Sequence, residues 1–359
     1  MNAVPTLPTT TWPVYGHTWA VHLLQQTLAA DAAPEQRRTG PSHAYLFLGI
    51  QQVGKTTLAR AFATALLCTA GGKSPCGHCR ACMLMGRGSH PDFHLVQPTN
   101  KDGAVDRDDG ELRTDRANDL VHDAALRPLE GKWRIFLIQD MQLANASFSN
   151  KILKTLEEPP PQTILLLTAT DRKGVLPTIA SRCQVLELRP LDRLAVGRAL
   201  QDGGHASTEE ADLLARLANG RMGWAMDQLQ HPGRRSERIE QLETLRRLLG
   251  ADRIARLDYA ASLVTKRERD NRELFGMLAL WTAWWRDVML VQAGCDDAVS
   301  NADQLPEVRR QAAAIDGGAV RAALQTLHQI DGYLHHTVNA RLALEVLMLK
   351  LPKLEGSGS

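Results

Sequence analysis

The stretch "FLGIQQVGKTT", residues 47–57, carries the spacing G-x-x-x-x-G-K-T, with Gly49, Gly54, Lys55, Thr56 and Thr57 as its small and polar members. Glycines at these intervals let backbone N–H groups turn inward around an anion, the lysine reaches terminal phosphates, and the hydroxyl after it can hold Mg2+. Such a loop could hold ATP or ADP with Mg2+. A second group is Cys68, Cys76, Cys79 and Cys82 in "CTAGGKSPCGHCRAC". Thiolates grouped in this way can converge on one tetrahedral ion, and a structural Zn2+ is the favoured reading. His78, His90 and His94 could each stand in for one thiolate. Four thiolates would leave no open position on the metal, which excludes catalysis by it. Cys183 and Cys295 read as plain buried thiols.

A third candidate is Arg182, in the run Ser181, Arg182, Cys183 just before a strand-like segment. Two readings stay open for it from the residues alone. It is an ordinary surface arginine paired with a neighbouring acid, or it is a planar, permanent charge offered to a phosphate on another subunit. A loop that hydrolyses nucleotide also needs an acid at the end of a neighbouring strand to hold Mg2+ and a carboxylate to orient water. After "WRIFLI" the chain offers Gln139 and Asp140. An amide cannot supply the missing charge, so hydrolysis by this chain is expected to be negligible.

The elements that must position these groups alternate from Val14 to about Leu188. Short apolar runs such as "HAYLFLGI", "WRIFLIQD" and "TILLLTAT" alternate with helix-like segments such as "TLARAFATALLC" and "NKILKTLEE". Runs without polar alternation suit strands buried on both faces, which predicts an α/β layer structure with a mainly parallel sheet. Between Pro98 and Asp119 the charged, glycine-containing "TNKDGAVDRDDGELRTDRAN" reads as a mobile surface loop with no chemistry of its own. After Pro190 the pattern is helical throughout. Ser207 with Glu210 can form a capping box, Gly220 sits where a helix would end, and Leu274, Leu278, Trp281, Trp285 and Val288 form a stripe that reads as core.

Bulk composition is that of a soluble globular chain: 359 residues, 44% hydrophobic and 23% charged. Lys+Arg 42 against Asp+Glu 40 leaves a formal charge of +2, so no global field draws the chain to nucleic acid or to an anionic membrane. This disfavours a zinc-dependent DNA-binding module. No apolar run approaches the roughly 20 residues needed to cross a bilayer, and a cytoplasmic location is expected. The closing "LEGSGS" reads as a tail outside the fold, of the kind that cloning leaves.

Taken together, "HAYLFLGIQQVGKTT" with its cysteine hairpin, "HPDFHLVQP", "NKILKTLEEPPPQTILLLTA", "LPTIASRCQ" and "NARLALEVLMLKL" resemble the delta-prime subunits of bacterial DNA polymerase III clamp loaders. The resemblance spans nearly the whole chain. It implies an AAA+ P-loop core over residues 1–189 with a zinc hairpin at 68–82, a helical lid over 190–235, an all-α collar for oligomerisation over 236–352, and a tail at 353–359. It further implies a non-motor stator that joins γ/τ and δ subunits in a heteropentamer and helps load the sliding clamp onto primed DNA. By the same match Arg182 is an arginine finger given in trans to the ATP site of a neighbouring γ/τ subunit. The alternative is a γ/τ-like active ATPase subunit. Two departures argue against it: Gln139-Asp140 stands where that pattern has Asp-Glu, and "GRMGWA" places Gly223 where the lid would carry a sensing arginine. A small-molecule P-loop kinase would have no use for the cysteine hairpin.

Overall fold

The computed structural model describes residues 12–31, 40–107, 110–267, 271–334 and 339–354. The chain divides into two compact units, Met1–Val196 with Gly220–Trp224, and Gly197–Asn219 with Ala225–Ser359.

The first unit runs α1 (Thr18–Asp31), β1 (Ala44–Leu48), α2 (Lys55–Leu67), α3 (Arg80–Arg87), β2 (Phe93–Val96), α4 (Thr114–Ala124), β3 (Arg134–Ile138), α5 (Ala146–Glu157), β4 (Thr163–Ala169), the short α6 (Pro177–Ala180) and β5 (Gln184–Glu187). The strands form one sheet in the order β2-β3-β4-β1-β5, and each pairing is parallel. Every residue of β1, β3 and β4 is buried, as unalternating apolar runs require when helices cover both faces. The side chains divide by the period of two. Tyr45, Phe47, Ile135, Leu137, Ile164 and Leu166 join α1 and α2 in one core cluster. Ala44, Leu46, Leu48, Phe136, Ile138, Leu165 and Leu167 join α4 and α5 in the other. This is the expected α/β core with a parallel sheet, and the glycine-framed loop leaves the carboxyl end of an interior strand.

The segment between Pro98 and Asp119 differs from its reading as a free loop. Thr99 bridges both Val105 and Glu111, Leu112 bridges Ala144, and α4 has already begun at Thr114. Leu112 is fully buried, so one apolar residue inside a polar run pins the segment to the core.

Helix α7 (Arg193–Asp202) crosses the division between the units, and so does α9 (Met222–Gln230); α8 (Thr208–Ala218) lies in the second. Ser207 Oγ accepts from Glu210 N at 3.3 Å as the N-cap of α8. The helix ends at Asn219, in the left-handed region, with Gly220 after it at φ +77°.

The rest of the second unit is α10 (Gly233–Gly250), α11 (Arg253–Arg267), α12 (Asn271–Gln292), α13 (Leu305–Ala314), α14 (Gly317–Leu334) and α15 (Ala340–Lys350). Their common core contains Leu274, Leu278, Trp281, Trp284, Trp285 and Val288, so the tryptophan stripe is packing. The Trp284 indole donates to Gln311 Oε1 at 2.9 Å. Contrary to the expectation that no run is long enough, Leu274–Gln292 has the length and apolarity to cross a bilayer. It is a core helix of this unit, and it carries Asp287, fully buried and accepting from the backbone and side-chain N–H groups of Asn301.

Arg256 closes this unit. Its guanidinium is 5% exposed and donates to the carbonyls of Leu248 and Leu249 at the end of α10, and of Met348, Leu351 and Pro352 at the end of α15. Two helices end side by side here, and one cation binds carbonyls from both ends. The tail reading needs correction at its first residues. Leu354 packs against the core and donates its N–H to Leu249 O at 3.0 Å, whereas residues 355–359 lie outside the described residues.

Candidate functional site: a phosphate loop with altered acids, and a four-thiol cluster

Strand β1 delivers the chain to Gly49, whose φ is +146°. A Cβ there would stand 2.4 Å from Leu188 O, so only glycine fits between the sheet and the loop. Gly54, at φ +112°, is the N-cap of α2 and gives it no side-chain cap. The first turn therefore presents backbone N–H groups and the positive end of the helix dipole to an anion. Lys55, 6% exposed, folds back and donates to Gly49 O at 2.5 Å and Ile50 O at 2.9 Å. Burial lowers its pKa to about 8, with Asp140 acting to raise it and Arg107 to lower it. Thr56 is half-buried and Thr57 exposed. Two further contacts hold the loop. His17 Nε2 donates to Val53 O at 3.1 Å, and Gly223 N donates to Gln52 O at 2.9 Å. A Cβ at Gly223 would lie 2.8 Å from that same oxygen. Any side chain there, arginine included, requires the loop backbone to shift.

At the end of β3, Gln139 and Asp140 are both buried. Gln97 Nε2 donates to Gln139 Oε1 at 2.8 Å, and Gln139 Nε2 donates to Thr56 Oγ1 at 3.2 Å. The hydroxyl that would face a metal thus holds an amide. Asp140 Oδ2 accepts from Arg107 at 2.7 Å (Nε) and 2.6 Å (Nη2), and its backbone N–H is held by Thr168 Oγ1 at 3.1 Å. The residues present do not fit Mg2+: the first acid is an amide, the second is taken by a guanidinium, and the threonine is occupied. Sequence reasoning missed Gln97, His17 and Arg107. Arg107 lies in the segment read as having no chemistry, so that reading is corrected; a lone arginine in a polar run carries no signal of the acid it will meet 33 residues on.

The four sequence-chosen cysteines do come together. Cys68 ends α2 and Cys79 is the N-cap of α3, so two helix termini aim them inward. All four Sγ atoms lie within 4.8 Å of one another, with Cys68–Cys79 and Cys76–Cys82 at 3.9 Å. The edge of a tetrahedron with metal–sulfur bonds of about 2.3 Å is about 3.8 Å. Backbone N–H groups of Cys76, Cys79 and Cys82 point at the sulfurs of Cys68, Cys76 and Cys79, a pattern that favours thiolates. The cluster can bind a metal ion. His78, His90 and His94 are not among its ligand atoms: His90 Nδ1 accepts from Asp92 N and His94 stacks on Phe136. Cys183 is only half-buried and Cys295 is exposed, which corrects their reading as buried thiols. A sequence lacking periodicity at either position could not show it.

Arg182 sits between α6 and β5. Its guanidinium donates to Thr178 O at 2.9 Å and to Glu157 Oε1 at 2.7 Å, with 36% of the side chain exposed. Glu157 is the last residue of α5, within the "LKTLEEPP" segment.

Two family models match the chain, "DNA polymerase III, delta subunit" over residues 24–192 and "DNA polymerase III, delta subunit, C terminal" over residues 233–353. The chain is similar to DNA polymerase III subunit delta′ of Bacillus subtilis, 28% identical over 86% of this chain and 91% of that one. It is similar also to the delta′ subunit of Pseudomonas aeruginosa, at 33% over 59% and 63% of the respective chains. Subunit tau of Escherichia coli matches at 32% over 50% of this chain and 27% of its own, a likeness confined to about half of the present sequence. With the parallel α/β core and both delta-subunit regions in place, the chain belongs to the DNA polymerase III delta/delta-prime subunit family.

Proposed function

We propose that this chain is the non-motor stator of a DNA polymerase III clamp loader, standing with γ/τ and δ subunits in a heteropentamer that loads the sliding clamp onto primed DNA in the cytoplasm. Its own loop binds ATP or ADP weakly through Gly49, Gly54, Lys55, Thr56 and Thr57 and does not turn it over. Arg182 acts in trans on the γ-phosphate held by a neighbouring γ/τ subunit. The thiol cluster Cys68, Cys76, Cys79 and Cys82 holds a structural Zn2+. Residues 190–235 serve as the lid and 236–352 as the collar. The observation that carries the reading is the pairing of a disabled acid site, Gln139 on Thr56 and Arg107 on Asp140, with an exposed arginine at the start of β5. A subunit that cannot organise hydrolysis has use for such an arginine only toward another subunit's nucleotide.

The test is reconstitution with γ/τ and δ partners. An arginine finger contributes on the order of 10³ to 10⁵ in rate at the site it serves. Arg182→Ala should leave the pentamer's elution unchanged while removing the share of clamp- and primer-stimulated ATPase due to the adjoining site, and Arg182→Lys should rescue poorly because it loses the planar fork. Wild-type ATPase in an assembled Arg182→Ala complex would leave Arg182 as a surface partner of Glu157 and nothing more.

A further inference from the structure

The substitutions around the phosphate loop alter its charge as well as its geometry. A loop with one lysine and two acids carries about one net negative charge, and a dication is what lets it accept a polyphosphate. Here Gln139 contributes no charge, and Lys55, Arg107 and Asp140 sum to one positive charge beside the uncapped N-terminus of α2. The ligands Mg2+ would use are Thr56 Oγ1, a carboxylate at 139 and Asp140. The first accepts from Gln139, the second is absent, and the third is bound through two nitrogens by Arg107. Arg107 is itself 45% exposed on its side chain. It can therefore keep one nitrogen on Asp140 and turn others toward a phosphate, since a guanidinium offers five N–H donors in a fork.

We infer that this loop takes a nucleoside di- or triphosphate without Mg2+, and that Arg107 supplies the positive charge the metal would bring. The inference rests on the reading of the loop as a nucleotide site and goes beyond it in removing the metal and naming its replacement. It also accounts for retained binding without turnover. An arginine fixed to the protein can neutralise a bound polyphosphate, but no acid pair remains to organise an attacking water.

The experiment is titration of the full chain with a fluorescent ATP analogue in EDTA and, separately, in excess Mg2+. The expected result is a dissociation constant that differs by no more than about twofold between the two. Arg107→Ala should weaken binding in EDTA by roughly ten- to a hundredfold, the range for loss of one charge-assisted contact. Because that variant leaves Asp140 buried without its ion pair, the double variant Arg107→Ala/Asp140→Asn is measured beside it. Lys55 keeps the sum at one positive charge, so the double variant should lose only the Arg107 contact, roughly tenfold, with the fold retained by circular dichroism. Binding that appears only with Mg2+ overturns the inference and leaves the nucleotide site standing. Binding in neither buffer removes the nucleotide site and the inference with it. Equal binding by wild type and the double variant in EDTA overturns the role of Arg107.

Discussion

Replacing Arg256 should damage the second unit more than any surface change of equal size. In Arg256→Ala, five carbonyls at the ends of α10 and α15 lose the guanidinium in a place that water does not reach, because the arginine they surround is 5% exposed. Leu248 O keeps Ala251 N and Leu249 O keeps Leu354 N, so the loss falls hardest on Met348, Leu351 and Pro352. Hydrogen bonds to a charged donor are worth about 1.5–3 kcal/mol each, but they share one cation and are not additive. A buried acceptor left without its donor costs about 1–3 kcal/mol, so about 3–5 kcal/mol is expected for the set, a large part of a stability of about 5–15 kcal/mol. Arg256→Lys keeps the charge at both helix ends, yet an ammonium has three N–H groups for five acceptors, so a cost of about 1–3 kcal/mol is expected. Urea unfolding followed by tryptophan emission suits the question, since Trp281, Trp284 and Trp285 all lie in this core. With a slope of about 2 kcal/mol per molar urea, the alanine variant should lower the midpoint by about 2 M. An unchanged midpoint for Arg256→Ala, or equal losses for lysine and alanine, would refute the idea that carbonyl capping is the reason for this residue.

Two further outcomes follow from the first unit. About one Zn2+ per chain should co-purify with reduced protein, and Cys79→Ser should lose it and loosen the hairpin; metal analysis near zero in reduced wild-type protein would refute the site. Lys55 titrates near 8 when folded, against an ordinary 10.5, because burial disfavours its charged form. Its folded pKa is depressed, so the stability it contributes is complete above pH 10.5 and is lost as pH falls toward 8, amounting to about 3 kcal/mol across that window. Unfolding measured from pH 7 to 11 against Lys55→Met should show this gain. Nucleotide affinity in the same range should fall by up to about tenfold per pH unit above 8 as the cation is lost; an affinity flat to pH 10 would exclude Lys55 as the phosphate-binding charge.

The parts legible in the sequence are those where neighbours along the chain do the work. A strand, a glycine-framed turn and a helix are contiguous, so the loop at residues 49–57 announced itself. Cysteines at two-residue spacing did the same, and the tryptophan stripe followed from the period of one helix. What stayed hidden depends on contacts between distant segments or with the backbone. Arg107 meets Asp140 across a segment that the buried Leu112 pins to the core. Arg256 looks like any arginine of an amphipathic helix, and all five of its acceptors are main-chain carbonyls, which no side-chain pattern encodes. Gly223 was noticed as a missing arginine. The structure adds the steric reason, a loop carbonyl where its Cβ would be.

The strand order also sets a timetable for synthesis. Among the described strands, β1 pairs with β4 and β5 alone, so residues 44–48 emerge from the ribosome well over a hundred residues before either neighbour exists. At about 5–20 residues per second this leaves the apolar run Ala44–Leu48 without a partner for roughly ten seconds. Only β2 and β3 can pair meanwhile, and they form an edge of the sheet. The nascent chain therefore carries its phosphate loop as an open segment until β4 arrives, and it is during this interval that the polypeptide is most exposed to aggregation and to chaperone capture.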